Sequence, residues 1–440
     1  MLNLFDSYHQ SSWDLHFSLL KSGYTHPTVV INDDGFLPDD VTSPYLFFTG
    51  FDKAKGRPLY FNEIEVPDFW EIASNNNQGE IYDYHQRRGL IHYAAPSHLR
   101  QVKSVDWFDL KGCLRITDRY NKYGHRHAQT IYNANGQATH TSYFTFEGRE
   151  VLVENHVTGD ILLEHLGKTH LFKNKSELII YYLNVAGFNL DRIFYNSLST
   201  PFLVAYRLGQ AGEDVLFWQE GLGDSIPGNM TLLLKKSGLR ATKIVVQNRD
   251  VYQRMLRLVS DEEKNALAFL GFQYPFKREP IAGNKAFVMT NSDNIEQLSL
   301  LVQELPQCHF HIGALTEMSQ RLMDFAKCDN VTLYPNISQT RIQQLFKECT
   351  FYLDINHGNE VALSIRRAFE NRLPIFAFHK TVHNRHYVAH QHIFQADQAL
   401  DMVTTLRGLL QSPERLAEAV QRQELAAEVE SMANYRTVLG

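Results

Sequence analysis

The sequence predicts an α/β protein with two Rossmann-like domains that face a cleft, and with a β-rich insertion in the first domain. Apolar strands alternate with helical stretches near both ends of the chain, which is typical of parallel sheets covered by helices. Between residues 44 and 174 the pattern changes to short aromatic and β-branched runs, separated by turn residues at about 8–12 positions as in antiparallel strands. A break rich in Pro, Lys and Gly at residues 274–283 separates the two alternating series.

The elements follow in chain order. Residues 11–21 carry apolar side chains in a helical pattern, and residues 28–31 form a short apolar strand before a turn. The candidate strands of the insertion are residues 59–62, 89–93, 139–146 and 151–154. The first parallel sheet continues with residues 192–197, 214–218 and 243–247. The second parallel sheet contains residues 286–289, 309–312, 331–334, 351–354 and 375–378.

These assignments divide the chain into four segments. Residues 1–43 and 175–275 are expected to form the N-terminal Rossmann-like domain, because both have the same alternating character. Residues 44–174 form the β-rich insertion, an antiparallel meander or extended sheet. Residues 284–431 form the C-terminal Rossmann-like domain.

The composition excludes several classes of protein. The 440 residues are 44% hydrophobic and 12% aromatic, which is enough for packed cores and rules out disorder. A formal net charge of −6 opposes binding to nucleic acid, so no nucleic-acid partner is predicted. The start lacks a basic segment and no long unbroken apolar stretch occurs, which predicts a cytoplasmic protein. The four cysteines have no short paired spacing, so neither a disulfide framework nor a zinc knuckle is predicted.

Residues 353–370 run from a strand end, through a glycine-containing loop, into a helix. Ligands of open parallel sheets bind at the carboxyl ends of the strands, so this stretch is a candidate site. Two such domains across a cleft form the GT-B architecture of glycosyltransferases. Retaining members of this class carry two glutamates, eight residues apart, in the stretch that corresponds to residues 353–370. Glu370 fits the second position, but Ala362 stands at the first. Glu360 is two residues away, which corresponds to about 200° around a helix.

A second requirement of such an enzyme is positive charge against the departing diphosphate. The loop at residues 289–296 reads Met-Thr-Asn-Ser-Asp-Asn-Ile-Glu and contains neither Arg nor Lys. Asp293 and Glu296 would oppose an anion there. Arg366 and Arg367 are nearby in sequence but are interpreted as surface charges in the middle of a helix. The sequence therefore predicts a transferase fold without catalytic residues.

Eight motifs resemble the GtfB-type glycosylation chaperones of the accessory Sec system of Gram-positive bacteria, and the resemblance covers nearly the whole chain. The motifs are residues 32–38, 59–62, 104–107, 120–124, 158–162, 290–293, 310–316 and 353–360. The resemblance implies a catalytically inactive GT-B subunit that pairs with an active GtfA-type glycosyltransferase and stabilises it. It implies that the complex attaches GlcNAc from UDP-GlcNAc to Ser and Thr of a serine-rich repeat adhesin, before export by the SecA2/SecY2 system.

The resemblance also implies a heterotetramer in which the insertion contacts the partner, and an inactive subunit that holds the acceptor polypeptide. A peripheral position on the cytoplasmic face of the membrane fits this role, and no cofactor is expected. The residues expected to bind the acceptor or its sugar are Asn291, Ser292, His311, Gly313, Asn356, His357, Gly358, Asn359, Glu360 and Glu370.

Other interpretations stay open for the same residues. Asn359 is a good helix N-cap, so the loop is alternatively a turn and a cap. His311 is alternatively a buried strand residue. The alternative function is an independently active retaining glycosyltransferase that uses UDP-GlcNAc with a displaced glutamate.

Three histidines near the end of the second domain have a spacing that would suit a metal if the segment were helical. These are His386, His390 and His392. No carboxylate or Cys stands beside them, and a histidine-rich loop is the simpler interpretation. No metal site is therefore predicted.

Overall fold

The computed structural model describes residues 1–209, 211–235 and 240–440, which divide into two units, residues 1–270 and 271–440. Among the described residues, no helix combines the length and the apolar character needed to cross a membrane. The first unit contains a parallel and an antiparallel sheet, and the second unit contains one parallel sheet.

The first unit begins with alternating strands and helices. In chain order they are β1 (Leu2–Phe5), α1 (Gln10–Lys21), β2 (Thr28–Val30), β3 (Val41–Thr42) and α2 (Pro44–Thr49). After the insertion the unit continues with α3 (Lys175–Val185), which begins at the N-cap Asn174.

The insertion is a ten-stranded antiparallel meander in which each strand pairs with its neighbour in sequence. Its strands are β4 (Trp70–Ser74), β5 (Gln78–Asp83), β6 (Gln86–Tyr93), β7 (Val102–Phe108), β8 (Leu114–Tyr120), β9 (Arg126–Tyr132), β10 (Ala138–Phe144), β11 (Glu150–Asn155), β12 (Ile161–His165) and β13 (Lys168–Phe172).

The parallel sheet of the first unit is completed after α3. The remaining elements are β14 (Ile193–Tyr195), α4 (Thr200–Arg207), β15 (Asp214–Trp218), α5 (Gly228–Leu234), β16 (Ala241–Val246), α6 (Arg249–Leu258), α7 (Asp261–Lys264) and β17 (Leu267–Phe269). The strand order is β17-β16-β15-β14-β1-β2-β3, and all neighbours are parallel. Near-continuous apolar strands such as Asp214–Trp218 are buried on both faces, as in other parallel sheets.

The ten-stranded sheet buries opposite faces in its two halves. One apolar cluster comprises Ile81, Ile91, Val102 and Val105 of strands β5 to β7, together with Ile64 from the segment before β4. The other cluster joins strands β9 to β13 to helices α2 and α3 and comprises Tyr45, Ala128, Tyr143, Leu152, Ile161, Leu163, Phe172 and Leu178. Val105 is the cross-strand partner of Asp118, and Asp118 is the partner of Gln129. Because paired residues on neighbouring strands point to the same side of a sheet, these three lie on one face. Ala128 is the next residue to Gln129 and therefore lies on the other face.

The second unit is a six-stranded parallel sheet with helices on its faces. Its elements are β18 (Lys285–Thr290), α8 (Leu298–Glu304), β19 (His309–Ala314), α9 (Gln320–Met323), β20 (Val331–Tyr334), α10 (Gln339–Glu348), β21 (Phe351–Asp354), α11 (Ser364–Glu370), β22 (Ile375–Phe378), β23 (Ile393–Phe394), α12 (Ala399–Gln411), α13 (Pro413–Ala426) and α14 (Met432–Leu439). The strand order is β20-β19-β18-β21-β22-β23. The sheet order places the ends of β18, β19 and β21 side by side, which positions the candidate site.

The structure confirms most of the predicted strands and corrects one. The five strands predicted in the second unit all form, and three of them match to the residue. The strand predicted at residues 59–62 is wrong, because this segment folds into a 3-10 turn, Phe61–Glu63. The Glu63 carboxylate accepts the Tyr60 backbone N–H at 2.6 Å and pairs with Arg57 at 2.5 Å, which ties the segment into the turn. The domain boundaries inside the first unit stay predictions.

Candidate functional site

Asparagine side chains join the carboxyl ends of β18 and β21. The Asn356 amide donates to Asn291 Oδ1 at 3.0 Å and to the Asn359 carbonyl at 3.2 Å. Its own oxygen accepts the Thr290 hydroxyl at 3.0 Å and the Gly358 backbone N–H at 3.1 Å. Asn356 is buried, whereas Asn291 and Asn359 are exposed. We call Thr290, Asn291, Asn356, Gly358 and Asn359 the asparagine cluster.

The two loops that carry the asparagine cluster also bond to each other through the backbone. The His357 N–H donates to the Asn294 carbonyl at 3.0 Å, and the Glu296 N–H donates to the Ile355 carbonyl at 2.8 Å. The His357 ring lies 2.6 Å from the Glu296 carboxylate. Ser292 accepts the Asn294 N–H on its hydroxyl at 3.0 Å. The loops are therefore held together before any ligand arrives.

Gly358 leaves room for the Asn291 side chain in this arrangement. A Cβ atom at this position would lie 1.9 Å from Asn291 Oδ1, far inside van der Waals contact. A larger residue at position 358 would therefore displace the Asn291 side chain and break its hydrogen bond with Asn356.

His383 links the loop at Gly358 to the end of strand β21. No role for this residue was predicted from the sequence. Its Nδ1 lies 2.5 Å from Asp354 Oδ1, and its Nε2 donates to the Gly358 carbonyl at 2.7 Å. The hydrogen bond to Asp354 is the main cause that raises the pKa of His383 to about 9. Burial raises the pKa of Asp354, which is 2% exposed. A buried Asp at a strand end requires a partner, and this was the available signal in the sequence.

Glu360 does not lie on the helix, so its predicted rotation about a helix axis is wrong. Helix α11 begins only at Ser364, because Ala362 and Leu363 have φ angles of 55° and 54° in the left-handed region. Glu360 Oε1 instead accepts the Ile365 N–H at 3.0 Å, and burial raises the pKa of this carboxyl. Asn359 is therefore not the N-cap of α11. A carboxylate of the chain itself occupies a helix start that would otherwise attract an anion.

Glu370 is the last residue of α11 and is engaged by two cations. Arg366 Nε donates to its Oε1 at 2.7 Å, and Lys277 Nζ lies 2.7 Å from its Oε2. Arg366 is itself buried and packs against the rings of Tyr274 and Tyr387. It is therefore no surface charge, which corrects the sequence interpretation. Among the described residues, Glu370 has no hydrogen bond to the asparagine cluster.

The structure does not bring His311 and Gly313 to the asparagine cluster. His311 is in the middle of β19, and its Nδ1 bonds to the Tyr334 hydroxyl at 2.9 Å. Burial and nearby cations lower its pKa to about 4, so the ring is neutral. Gly313 lies on the same strand face, where an added Cβ would meet Ile337 and Met289 at 3.0 Å. The structure therefore favours the alternative interpretation of His311 as a buried strand residue.

A cavity of about 170 Å³ lies at the carboxyl ends of β18 and β19, beside Asn291. It is lined by Thr290, Asn291, Ser292, Asp293, Ala314, Thr316, Glu317, Met318 and Leu322. The lining contains two carboxylates and neither Lys nor Arg. Its hydroxyl and amide groups suit a neutral ligand that offers hydroxyls and amides, and its charge disfavours a diphosphate.

The histidines at positions 386, 390 and 392 lie in different surroundings and do not form a common site. His386 bonds to the Tyr274 hydroxyl at 2.9 Å, and His392 is buried and stacks on Phe376. His390 is exposed. Within residues 1–209, 211–235 and 240–440, no group of three or more His, Cys, Asp or Glu could hold a metal ion.

Two parallel sheets covered by helices, with a polar site at the strand ends of the second, are features of the GT-B fold of glycosyltransferases. The pneumococcal O-GlcNAc transferase GtfA, solved with UDP and GlcNAc, shares this fold with a TM-score of 0.51 at 10% identity, over 100% of this chain and 98% of that one. A chain from a GtfA/B complex bound to UDP and GlcNAc matches with a TM-score of 0.95 at 43% identity, over 100% of this chain and 99% of that one.

Four family models match along the chain. They are the GtfB N-terminal domain at residues 2–48, the GtfB middle domain at 70–173, the GtfB third domain at 175–258 and the GftB/GlyA-F C-terminal domain at 286–423. The stabilizing protein GtfB of UDP-N-acetylglucosamine–peptide N-acetylglucosaminyltransferase from Streptococcus agalactiae is 44% identical over 100% of this chain and 99% of its own length. The stabilizing protein GtfB of Limosilactobacillus reuteri is 40% identical over 100% of this chain and 99% of its own length. The chain belongs to this GtfB family, which confirms the resemblance seen in the sequence.

Proposed function

We propose that the chain is the non-catalytic, stabilising subunit of a peptide O-GlcNAc transferase whose active subunit is a GtfA-type glycosyltransferase. The names of the relatives support the stabilising role. The observation that carries the non-catalytic assignment is the position of Glu360. Its carboxylate caps helix α11, and the loop at 289–296 offers no cation for a diphosphate.

The isolated chain is expected to neither transfer GlcNAc nor hydrolyse UDP-GlcNAc, because the loop at residues 289–296 has no Lys or Arg to neutralise the departing diphosphate. Release of UDP is measured with the chain alone, with a GtfA-type partner alone and with both, each with a Ser/Thr-rich peptide. Turnover should appear only with the partner and should increase when this chain is added. Turnover by the isolated chain that Glu360→Gln abolishes would support the active-enzyme alternative instead.

We further propose that the asparagine cluster and its cavity bind the acceptor, a Ser/Thr-rich polypeptide or the GlcNAc already on it. A serine-rich repeat adhesin awaiting export by the accessory SecA2/SecY2 system fits this chemistry. Asn291, Ser292, His357 and Asn359 would contact the ligand, whereas Asn356, Gly358 and Glu360 would shape the loop. His311, Gly313 and Glu370 are left out because their contacts are made elsewhere.

Asn291→Ala and His357→Ala are each expected to weaken acceptor binding by about 1 kcal/mol, the usual net value of a hydrogen bond. Binding should depend weakly on salt, because the ligand is neutral. Isothermal titration with a serine-rich peptide measures both effects. Asn294→Ala is the matched control, since this exposed residue is in the loop after β18 but neither lines the cavity nor belongs to residues 356–359. Equal affinity of all three variants and the wild type would place the acceptor site elsewhere.

The proposed partner surface is the outer face of the insertion at its β13 edge. Leu162 pairs with Leu171 and with Val153, so the three form an apolar stripe across three strands. Leu162 and Leu171 are 46% and 55% exposed, and Leu166 at the hairpin tip is 87% exposed. Exposed apolar patches on a sheet are typical of protein interfaces. A heterotetramer and a peripheral membrane position are further parts of this proposal.

The double substitution Leu162→Lys and Leu171→Lys is expected to abolish co-purification with the GtfA-type partner, because two buried charges would oppose the interface. Deleting the insertion is a poor test, since α2 and α3 share an apolar cluster with it. Leu400→Lys, at a residue that is 59% exposed in the second unit, is the control. Unchanged co-purification of the double variant would contradict this surface.

A further inference from the structure

A second cavity of the C-terminal unit lies between the last turns of two helices. It measures about 340 Å³ and is lined by Lys277, Gln343, Phe346, Lys347, Arg367 and Asn371. Helices α10 and α11 end here, just before strands β21 and β22 begin. The cavity is therefore at the amino-terminal edge of the sheet, opposite the edge that carries the asparagine cluster.

The lining of the cavity carries an excess of positive charge in a chain whose net charge is negative. Its lining has three cations and no carboxylate. Lys277 is neutralised by Glu370 at 2.7 Å. Among the described residues, neither Lys347 nor Arg367 forms an ion pair, and the Arg367 guanidinium is half-buried. The carboxylate nearest to Arg367 is that of Glu370, which is already shared between Arg366 and Lys277. Charges withdrawn from water are usually paired, so this excess of cations around the half-buried Arg367 indicates a site for an anion.

Helix capping does not account for these cations. The last carbonyls of α10 are taken by Arg278, whose guanidinium donates to Phe346 O at 3.2 Å and to Cys349 O at 2.7 Å. The C-cap of α11 is Asn371, whose backbone and side chain both bond to the Arg367 carbonyl. Lys347 and Arg367 are therefore not needed to satisfy the ends of the helices that carry them.

The donors that remain match a tetrahedral anion. Arg367 uses one amino group for Gln339 Oε1 at 3.2 Å, which leaves further guanidinium N–H groups for a ligand. A planar guanidinium binds two phosphate oxygens at once, and a lysine adds a compact charge beside it. The amides of Gln343 and Asn371 can donate to further oxygens. The volume is within the range of small-molecule sites, so the anionic group can carry an attached moiety.

We propose that this cavity binds a phosphate or diphosphate group, with Arg367 and Lys347 as its charged ligands. The group belongs either to a free phosphate compound or to a lipid headgroup, since both present the same oxygens. The site is independent of the acceptor site and of the proposed partner surface.

Inorganic pyrophosphate is titrated into the full chain by calorimetry, at low and at physiological salt. We expect saturable binding that weakens with salt, and a loss of affinity of about tenfold or more in Arg367→Gln. Lys347→Gln should weaken binding too, and its exposed position keeps the test valid if Arg367→Gln fails to fold. Lys380→Gln, at an exposed residue of the same unit away from the cavity, should bind as the wild type does.

Co-sedimentation with phosphatidylglycerol vesicles, against phosphatidylcholine vesicles, distinguishes the two sources. Binding to pyrophosphate that both cavity variants weaken supports a free phosphate ligand. Binding only to the anionic vesicles, weakened by the same variants, supports a headgroup. Absence of binding to either probe, or binding that neither Arg367→Gln nor Lys347→Gln changes, would overturn the proposal.

Discussion

Replacing His383 by alanine is expected to lower the free energy of unfolding of the C-terminal unit by about 3 kcal/mol, because the substitution leaves a buried carboxylate without its charged partner. Asp354 is 2% exposed, and its carboxylate bonds to the His383 ring Nδ1 at 2.5 Å, which the substitution removes, and to the His383 backbone N–H at 2.8 Å, which alanine retains. The ring also holds the Gly358 carbonyl, so the loop of the asparagine cluster should loosen as well.

The effect of His383 should depend on pH in a defined direction. The pKa of the folded ring is about 9, above its ordinary value of 6.5, so protonation favours the folded state. This stabilisation is complete below pH 6.5 and is lost as the pH rises through 9. The destabilisation by His383→Ala should therefore be larger at pH 6 than at about pH 10.

The chain offers a clean way to measure this. All four Trp residues, at positions 13, 70, 107 and 218, belong to the first unit. Urea unfolding seen by circular dichroism but not by Trp fluorescence therefore reports the second unit. His379→Ala, at an exposed histidine close by, should change stability by less than about 0.5 kcal/mol. An equal loss for His383→Ala at both pH values would contradict the assigned ion pair.

Replacing Tyr45 by alanine is expected to lower the free energy of unfolding of the first unit by about 3–5 kcal/mol, the usual cost of truncating a buried aromatic residue. Tyr45 is on α2, is 3% exposed, and stacks on Tyr143 of the insertion with ring centroids 4.3 Å apart. Its hydroxyl donates to Glu154, which is also near Lys175 of α3 at 3.4 Å. This contact joins the insertion to the helices of the parallel sheet.

Tyr45→Phe separates the two contributions of this side chain. It keeps the ring but removes the donor to the buried Glu154, so a loss of only about 1–3 kcal/mol is expected. Trp fluorescence during urea unfolding follows the first unit selectively. If Tyr45→Ala cost no more than Tyr45→Phe, the ring stacking would contribute nothing and the junction would depend on the hydrogen bond alone.

The parallel strands could be predicted because they are short, apolar and bounded by turn residues. Strands such as Phe351–Asp354 and Ile375–Phe378 are buried on both faces, so they appear in the sequence as continuous apolar runs. The start of α11 could not be predicted. Two non-glycine residues, Ala362 and Leu363, adopt the left-handed region there, and no local signal marks such positions as Gly or Asn would.

The candidate site was predicted only in part, because some of its residues follow predictable strands and others depend on tertiary packing. Asn291 and Asn356 follow strand ends, so topology alone places them at one edge. The partner of Asp354 is 29 positions away in sequence and depends on how the segment after β22 returns over the sheet. The direction of Glu360 depends on where the helix begins. Such contacts depend on tertiary packing, so no local pattern in a single sequence predicts them.

The two apolar clusters on opposite faces of the ten-stranded sheet have a consequence for how substitutions combine. No residue belongs to both clusters, and polar residues such as Asp118 and Gln129 lie between them. Stability changes at distant sites without shared contacts usually add, whereas those within one packed cluster do not. Each half of the sheet can therefore accumulate sequence change by itself. Substitutions near the β4 edge would therefore leave the stability of the half that is joined to α2 and α3 unchanged.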